Sequence, residues 1–476
     1  MTQHPPGKLR KQRSESVSAD RQKPFSKLRE HFGERVISGE ALCRQHANTL
    51  TWLPCEPPDA VVYPKTTKEV ALIVDIARQN HWPVIPFGAG TSLEGQLNAP
   101  HGGLSIDLSG MDNVISVNTG DLDCTVEAGV TRATLNTHLR DTGLFFPVDP
   151  GTQEATLGGM AATRASGTNA VRYGTMRDNV MAMTVVMADG SIMQTGSRAR
   201  KSATGYDLTK LLVGSEGTLG IITQLTLKLY GIPGSIIAAV VAFKTLQGAC
   251  DAVMAAIAQG LGVARIELLD PVQIDVLNAH AGLDLEPSPT LFLEFHGTTA
   301  ATQEQVAQFE ELALETGAQS FKQARTRDER AKLWQARHDA FWAVKEAWPG
   351  KSVLVTDVCV PISRLAQCVG ETEADLKETG LTAPIVGHVG DGNFHAICLF
   401  DADDPDEVRA LKGFTQRLAM RAIKMDGTCS GEHGIGQGKM EFMEREHGTS
   451  LKVMRALKQA LDPQNILNPG KILPDP

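Results

Sequence analysis

The sequence predicts an α+β protein with more than one domain, and three observations support this fold class. The chain has 476 residues, which exceeds what a single hydrophobic core usually supports. Strand and helix patterns alternate from Ala60, and they return from Ser235 after an interruption. Between Pro147 and Gly220 the chain is instead rich in Gly, Thr, Ser and Asn. Two regular regions therefore flank a polar one.

The first regular region has the pattern of a βαβ-like unit. Thr66 and Glu69 have the spacing of a capping box, so a helix is expected to begin there. Thr131 is expected to begin a second helix. The predicted strands of this region are residues 60–63, 83–86, 104–108 and 124–128.

The second regular region predicts a separate α+β domain with an antiparallel sheet, over residues 234–424. Its predicted strands are residues 237–243, 263–269, 291–295 and 353–360. Its predicted helices are residues 246–258, 302–315 and 362–376. After this domain the chain is expected to return to the first one, where Ser450 caps a last helix that ends before Pro463.

The composition is ordinary for a soluble globular protein, with 42% hydrophobic and 21% charged residues. The net charge of −9 argues against nucleic-acid binding, because phosphate backbones are engaged by dense Lys and Arg surfaces. The eight cysteines form no C-x-x-C pair, which indicates reduced thiols in a cytoplasmic compartment. No apolar run is long enough to cross a bilayer. Residues 1–30 are polar with mixed charge, so a disordered tail is expected there.

Two histidines flank a turn pattern near the C-terminus, in the sequence GHVGDGNFH of residues 387–395. Asp391-Gly392 favours a two-residue hairpin turn of type I′, which would place His388 directly opposite His395. Opposed residues on one face have Cβ atoms about 5 Å apart, so the two imidazoles could share a divalent metal. Two simpler alternatives compete, since a lone histidine is more often a hydrogen-bonded polar residue and this segment can be a turn alone.

A second short motif, Gly-Glu-His-Gly at residues 431–434, strengthens the metal hypothesis. Glu432 would supply the carboxylate of a two-histidine, one-carboxylate site. His433 would then be free to act as a base.

Glycine-rich stretches in the first half indicate an extended polar ligand. Gly88 to Ser92 resembles a phosphate cradle, although a pattern of this kind alone is more often an ordinary glycine-rich turn. Three further Gly/Ser/Thr-rich stretches lie between strands, at residues 156–169, 172–178 and 214–221. So many backbone donors are costly to bury unless something satisfies them, and a large polar cofactor would do so.

Ten motifs together carry a family resemblance. They are PFGAGTSLEG, FPVDPG, GTNAVRYGTMRDNV, GSEGTLGIIT, ARIELLD, LFLEFHG, TDVCVPISRL, VGHVGDGNFH, GEHGIGQGK and LDPQNILNPGK. From about residue 40 to residue 473 the chain resembles FAD-linked oxidoreductases of the vanillyl-alcohol-oxidase type, with a PCMH-type FAD-binding domain. More narrowly, it resembles the D-lactate dehydrogenase (cytochrome) branch of the D-2-hydroxyacid dehydrogenases.

The resemblance implies a domain plan. A two-subdomain FAD-binding domain is expected over residues 31–233 and a cap over residues 234–424. A C-terminal segment over residues 425–476 is expected to rejoin the FAD domain.

The resemblance also implies the FAD-binding residues. Those expected around the pyrophosphate are Phe87, Gly88, Ala89, Gly90, Thr91 and Ser92. Those expected along the flavin are Pro150, Gly151, Gly158, Gly159, Ala165, Ser166, Gly167 and Thr168. Glu216 and Ile221 are expected at the adenosine and ring regions, and Asn468 is expected to close over the cofactor. The loop of residues 88–95 contains no His or Cys, so the FAD is expected to be non-covalent.

The resemblance further implies a metal and a substrate site. It assigns His388, His395 and Glu432 to a divalent metal, zinc or manganese, and His433 to the catalytic base. Arg337 matches the arginine that grips the substrate carboxylate. Without the resemblance, Arg337 would be interpreted as a surface helix charge.

The expected function is oxidation of D-lactate and related small D-2-hydroxy acids to 2-oxo acids. The sequence has neither a CxxCH motif for haem nor a Cys cluster for iron–sulfur, so electrons are expected to pass to a separate cytochrome or quinone-linked carrier. A homodimer and a peripheral association with the inner membrane stay open.

Other functions compete with this one. Glycolate oxidase flavin subunits and D-2-hydroxyglutarate dehydrogenases share most of the motifs. The latter have a lysine where this chain has Val355, which disfavours a second substrate carboxylate. A metal-dependent hydrolase would leave the glycine-rich half unexplained, and a non-catalytic flavoprotein would not need His433.

Overall fold

The computed structural model describes residues 21–47 and 51–474. Residues 1–20 of the predicted tail lie outside the described residues. The remainder of that tail belongs to helix α1 (Gln22–Phe32), because Leu28 and Phe32 recur at helical spacing and are buried in the core of the first domain. The predicted boundary at residue 30 therefore falls inside a helix.

The first sheet of the first domain has four strands in the order β1-β2-β4-β3. These are β1 (Val36–Ile37), β2 (Ala60–Val62), β3 (Val84–Phe87) and β4 (Leu104–Asp107), accompanied by helices α2 (Glu40–Ala47) and α3 (Thr67–Gln79). Strands β2, β3 and β4 are parallel, so α3 is the crossover helix of the predicted βαβ unit. Thr66 caps α3 by accepting a hydrogen bond from Glu69 N at 3.2 Å. The Glu69 carboxylate binds Arg35 instead of completing a capping box.

The second sheet is antiparallel, with five strands in the order β5-β6-β10-β8-β9. The strands from here to the cap are β5 (Val114–Asn118), β6 (Asp123–Glu127), β7 (Leu144–Phe145), β8 (Val180–Val186), β9 (Ile192–Gln194), β10 (Ile221–Lys228) and β11 (Tyr230–Gly231). The helices are α4 (Arg132–Leu139), α5 (Leu157–Thr163), α6 (Ala170–Tyr173), α7 (Met176–Asn179) and α8 (Leu208–Leu212). Residues of both sheets share one hydrophobic core. The predicted glycine-rich stretches become loops and short helices on this framework.

The cap is built on an antiparallel sheet with the strand order β15-β12-β14-β13-β18-β19-β16, and β17 pairs with β19. Its strands are β12 (Ser235–Phe243), β13 (Val263–Leu269), β14 (Thr290–Gly297), β15 (Ala318–Ala324), β16 (Ser352–Val355), β17 (Val358–Cys359), β18 (Ile385–Gly387) and β19 (Asn393–Phe400). Its helices are α9 (Leu246–Ala258), α10 (Pro271–Ala281), α11 (Thr299–Glu315), α12 (Arg327–His338), α13 (Ala340–Ala347), α14 (Leu365–Thr379) and α15 (Pro405–Lys424). The predicted antiparallel sheet is confirmed.

The strand predicted at residues 353–360 is interrupted between β16 and β17. Thr356 and Asp357, which separate the two strands, are buried and bind polar groups of neighbouring segments. The register is the same on both sides of the interruption, but Ala396 N donates to Thr356 Oγ1 at 2.9 Å and the Thr356 carbonyl oxygen bonds His395 Nδ1, so one backbone hydrogen bond of the ladder is replaced.

The connection between β18 and β19 differs from the predicted hairpin. Residues 389–391 form a 3-10 turn, and Gly392 alone has a left-handed φ, of 78°. Val386, rather than His388, is the direct partner of His395. The predicted register is wrong by two residues. His388 lies just beyond the end of β18, but its ring centroid is 5.4 Å from that of His395, so the two imidazoles are neighbours as predicted.

The C-terminal segment contains α16 (Met443–His447) and α17 (Ser450–Leu461) and then rejoins the first sheet. Ser450 is the first residue of α17 rather than its cap, since Thr449 precedes it without a capping hydrogen bond from its side chain. Val84 N donates to Ile466 O at 2.8 Å, and Asn468 N donates to Val84 O at 2.8 Å. Residues 466–468 thus pair with β3 in the parallel direction.

The α+β fold class is confirmed, with a two-sheet first domain, a cap and a returning C-terminal segment. Across the described ranges, helices that are both long and apolar enough to cross a membrane are absent.

Candidate active site

A cavity of about 1100 Å³ lies where the first domain, the cap and the C-terminal segment meet. Ligand pockets usually measure roughly 300–1,000 Å³, so this cavity suits a large ligand. The glycine-rich loops line one part of it, and the predicted metal and substrate residues line another. Both sets of motifs therefore belong to one site.

Most of the predicted FAD-binding residues line this cavity. They are Phe87, Gly88, Ala89, Gly90, Thr91, Ser92, Pro150, Gly151, Gly158, Gly159, Ala165, Ser166, Thr168, Glu216 and Asn468. Gly167 and Ile221 lie behind the wall, and their neighbours Thr168 and Ile222 reach it. Ile221 is buried in the hydrophobic core. A Cβ at Gly167 would lie 2.1 Å from the carbonyl oxygen of Asp149, so this glycine permits a close backbone approach.

Polar atoms left without partners indicate that the wall is shaped for a polar ligand. Ser92 Oγ and Asn468 Oδ1 are buried and have no hydrogen-bond partner among the described residues. Asn468 Nδ2 donates to Gln96 O at 3.1 Å and to Glu216 O at 2.8 Å, which fixes the orientation of the amide. Buried polar groups are normally satisfied, so a cofactor with many donors and acceptors, such as FAD, fits this wall.

Glu216 also binds the C-terminal segment. Its carboxylate accepts hydrogen bonds from Ile435 N at 2.7 Å and Gly436 N at 2.8 Å. Burial raises the pKa of this carboxyl to about 7. Glu216 lines the cavity, but its carboxylate attaches the C-terminal segment to the first domain.

A close approach at Gly158 gives a testable consequence for stability. A Cβ there would lie 2.6 Å from Ala128 Cβ and 2.9 Å from Ala128 O, so Gly158→Ala forces the backbone of α5 away from the second sheet. Overpacking of this kind typically costs about 1–3 kcal/mol. We expect thermal unfolding of the holoenzyme to shift to lower temperature.

The matched control for this substitution is Gly370→Ala. Gly370 lies inside α14, and its added Cβ would meet no atom within 4 Å. Ala is favoured over Gly in a helix by about 0.5–1 kcal/mol, so this variant should be neutral or more stable. Equal melting temperatures for both variants would contradict the packing argument.

His388, His395 and Glu432 converge at one end of the cavity. One ligand atom from each of the three lies within 4.8 Å of the others. Glu432 Oε1 lies 3.4 Å from His388 Nε2 and 3.3 Å from His395 Nε2. Glu432 Oε2 is buried without a hydrogen-bond partner among the described residues. Two imidazole nitrogens and a carboxylate are a donor set that suits a divalent metal such as zinc or manganese.

The hydrogen bonds on the far side of each ring orient these two histidines. His388 Nδ1 bonds Glu267 Oε1 at 2.7 Å, and His395 Nδ1 bonds the carbonyl oxygen of Thr356 at 2.8 Å. Both acceptors require a proton on Nδ1, so Nε2 is the ring atom that is directed towards Glu432 and that can bind a metal once its own proton is displaced. This arrangement is typical of metal-binding histidines.

The charges around the cluster favour a cation. Burial alone would raise the pKa of Glu432, but His388 and His395 hold it well below its usual value. Burial alone would lower the pKa of His388, but the carboxylates of Glu267 and Glu432 raise it well above its usual value. Positive charge is therefore strongly stabilised at this position.

Asp357 holds the segment that carries Glu432 and His433. Its Oδ2 accepts hydrogen bonds from the backbone N–H groups of both residues, at 2.9 Å each. Lys439 Nζ lies 3.4 Å from the same oxygen and 3.3 Å from Glu94 Oε1. Burial alone would raise the pKa of Asp357, but Lys439 and the neighbouring histidines lower it well below its usual value. The ionised carboxylate fixes the Glu-His segment rigidly against the cap.

His433 lies beside the cluster without belonging to it. Its ring stacks on that of His395, with centroids 5.2 Å apart and planes 10° apart. Its Nε2 lies 3.7 Å from Glu432 Oε1, and its Nδ1 is buried without a hydrogen-bond partner among the described residues. Burial lowers the pKa of His433 to about 4, so the imidazole is neutral at physiological pH.

Arg337 is buried at the cavity wall, with 9% of its surface exposed, and is not the surface charge that the local pattern alone would suggest. Its Nε and Nη2 donate to Glu267 Oε2 at 2.9 and 2.6 Å. The wall therefore contains a cationic group that is held in one orientation.

Comparison with known proteins bears on the family of this chain. Residues 58–196 match the family described as FAD binding domain, and residues 232–472 match FAD linked oxidases, C-terminal domain. The chain is 50% identical over 453 residues to "Probable D-lactate dehydrogenase, mitochondrial" of Danio rerio, covering 94% of this chain and 91% of the relative. The chain belongs to the FAD-linked D-lactate dehydrogenase family.

Another member and a solved structure extend this result. "D-lactate dehydrogenase [cytochrome], mitochondrial" of Arabidopsis thaliana is 44% identical over 418 residues, covering 88% of this chain and 74% of the relative. The crystal structure of p-cresol methylhydroxylase with substrate bound superimposes with a TM-score of 0.80 at 16% identity, covering 96% of this chain and 97% of that chain. At this identity the structural match concerns the fold, and it agrees with the PCMH-type fold expected from the motifs.

Sequence reasoning on this family member missed several buried residues of the site. Glu267, Asp357 and Lys439 lie within the motifs ARIELLD, TDVCVPISRL and GEHGIGQGK that carry the resemblance, yet they received no role. Asp149, in FPVDPG, also lines the cavity. The available signal was a charged residue inside an otherwise apolar or glycine-rich motif.

Proposed function

We propose that this FAD-linked oxidoreductase oxidises D-lactate and other short or apolar D-2-hydroxy acids to 2-oxo acids. One observation carries the proposal: the glycine-rich wall, the His388–His395–Glu432 cluster and Arg337 line the same cavity. Such a cavity can hold a flavin, a divalent metal and a small anionic substrate together.

In this proposal each residue has a defined task. Arg337 binds the substrate carboxylate through charge-assisted hydrogen bonds. His433 takes the proton of the C2 hydroxyl at Nε2, the ring nitrogen 3.7 Å from Glu432. His388, His395 and Glu432 would hold the metal. When bound, FAD supplies a hydride acceptor and the divalent metal supplies a Lewis acid. The substrate loses one proton from oxygen and one hydride from C2, which gives the 2-oxo acid.

The cofactor residues complete the proposal. The loop of residues 88–95 offers no His or Cys for a covalent link, which supports a non-covalent FAD. The electrons leave to a separate cytochrome or quinone-linked carrier, in keeping with the "[cytochrome]" in the name of the Arabidopsis relative. The cytoplasmic location and the homodimer stay predictions.

The wall beside the histidines supports short or apolar substrate side chains. Val355, Val386 and Ile397 line the cavity there. An apolar wall leaves a second substrate carboxylate unpaired, and burying an unpaired charge is costly. D-2-Hydroxyglutarate is therefore expected to be a poor substrate.

The stereochemistry of the reaction gives the test of this function. Arg337 fixes the carboxylate, and the metal residues with His433 fix the hydroxyl, so only one enantiomer presents its C2 hydrogen to the flavin. D-Lactate should bleach the flavin absorbance in anaerobic stopped-flow experiments, and L-lactate should not. An artificial dye or a cytochrome should outperform NAD⁺ as acceptor. Equal rates with both enantiomers, or turnover that requires NAD⁺, would contradict the proposal.

A further inference from the structure

Glu267 is a buried carboxylate that contacts both the metal residues and the substrate residue of the proposed site. It lies in β13 and its side chain is 0% exposed. Its Oε1 bonds His388 Nδ1 at 2.7 Å. Its Oε2 accepts from Arg337 Nε at 2.9 Å and Nη2 at 2.6 Å. A single carboxylate thus joins two groups with different tasks.

The fold brings these three residues together from distant parts of the chain. In the sheet, Leu268 of β13 is the partner of Gly387 of β18, so Glu267 lies beside the strand that leads into His388. Helix α12 packs over the same region, where Trp334 stacks on Arg265 with 4.7 Å between the guanidinium carbon and the ring centroid. Trp334 and Arg337 are three positions apart in helix α12, so they lie on the same side of the helix. Arg265 and Glu267 are two positions apart in strand β13, so they lie on the same face of the sheet.

The hydrogen bonds to Glu267 leave the metal-binding nitrogen of His388 and one side of the Arg337 guanidinium free. The bond to Glu267 keeps the proton of His388 on Nδ1 and directs Nε2 towards Glu432, 3.4 Å away. Glu267 binds Arg337 through Nε and Nη2, one lateral edge of the guanidinium. Nη1 has no partner among the described residues and can serve a substrate carboxylate.

We propose that Glu267 is a positioning residue that couples the metal site to the substrate-carboxylate site; this inference rests on the proposed function. Glu267 orients His388 for the metal and Arg337 for the substrate with the same carboxylate. Each of its two oxygens accepts a hydrogen bond, Oε1 from His388 and Oε2 from Arg337, so replacing either oxygen breaks one of these contacts. A glutamine amide has one acceptor oxygen and one NH₂ donor, so it can serve only one of the two donors that face it.

The experiment compares Glu267→Gln with the wild-type holoenzyme. Metal affinity is measured by competition with a chelator of known affinity. Oxalate affinity is measured in metal-depleted, FAD-loaded protein from the change in flavin absorbance, so that Arg337 is probed without the metal. We expect Glu267→Gln to weaken metal binding by about 10–100-fold, the range found when an outer partner of a metal-binding histidine is lost. We also expect it to weaken oxalate binding.

Glu294→Gln is the matched control. Glu294 lies in the adjacent strand β14 and is also a buried carboxylate that faces a histidine and an arginine, with His296 Nε2 at 2.6 Å and Arg265 Nε at 3.8 Å. Neither of these partners is among the residues that line the cavity. The Glu294→Gln variant should therefore keep its affinity for the metal and for oxalate, although the same Glu-to-Gln change has been made in the same sheet.

The possible outcomes separate this inference from the proposed function. The coupling of the two sites is supported if Glu267→Gln binds both metal and oxalate more weakly and Glu294→Gln binds both as the wild type does. If the glutamine variant does not fold, Glu267→Asp replaces it, because the shorter carboxylate keeps the charge but cannot reach both partners. Either affinity within twofold of wild type, or equal losses in the control, would overturn the inference. A wild-type protein that binds no metal and is not reduced by D-lactate would overturn the proposed function instead.

Discussion

Replacing His433 with alanine is expected to lower the rate of flavin reduction by D-lactate by about 10²-fold or more, the usual contribution of a positioned general base. The structure gives three reasons. The imidazole lies at the cavity wall beside the Glu432 carboxylate, burial keeps it neutral, and stacking on His395 fixes its plane. Anaerobic stopped-flow measurement of flavin bleaching at saturating D-lactate isolates the affected step.

The same variant should retain its cofactors, because His433 supplies none of the three atoms of the metal cluster. FAD content and metal content are therefore the internal controls. His280→Ala serves as a control for substitution alone, since His280 lies on α10 and pairs with Glu346 at the surface. If D-lactate reduces the flavin of His433→Ala at nearly the wild-type rate, His433 is not the catalytic base.

Replacing Glu432 with alanine is expected to abolish metal binding and with it the reaction. Glu432 is the only carboxylate of the proposed three-ligand set, and its Oε1 lies within 3.4 Å of both histidine nitrogens. Loss of an outer hydrogen-bond partner lowers metal affinity by about 10–100-fold, and loss of a direct ligand should lower it further. Elemental analysis of purified protein gives the metal content per chain.

Glu441→Ala is the control for this second substitution. Glu441 is a carboxylate that lines the same cavity outside the metal cluster. It should keep the full metal content, whereas Glu432→Ala should hold almost none. Metal content in Glu432→Ala equal to that of wild type would show that the ligand assignment is incorrect.

Local sequence patterns predicted regular elements well. Helix α9 and strand β13 begin and end where their patterns predict, since each depends on a periodic apolar face and nearby caps. The first helix was missed because its apolar residues lie within a segment of mixed charge. In α1, burial of Leu28 and Phe32 against the first domain decides the outcome, and tertiary contacts of this kind are invisible in a short window.

In the candidate active site, too, contacts between distant segments were not visible in the local sequence. The hairpin register was wrong because residues 389–391 form a 3-10 turn with only Gly392 left-handed after it, so the connection is longer than the predicted two-residue turn. Arg337 could be recognised only through the family motif, since its partner Glu267 is 70 positions away in the chain. The residues that carry chemistry could be named from short motifs, but the residues that hold them come from distant segments.

The pairing of β3 with the end of the chain has a consequence for biosynthesis. Val84 finds its partners Ile466 and Asn468 only after more than 380 further residues have been added, and Asn468 also bonds the carbonyl groups of Gln96 and Glu216 at the cavity wall. Residues 466–468 must therefore leave the ribosome before the first sheet can be completed, although its strands are synthesised much earlier. Contacts so distant in sequence form slowly. The part of the cavity wall that Asn468 supplies is therefore completed only after the two sheets of the first domain have been synthesised.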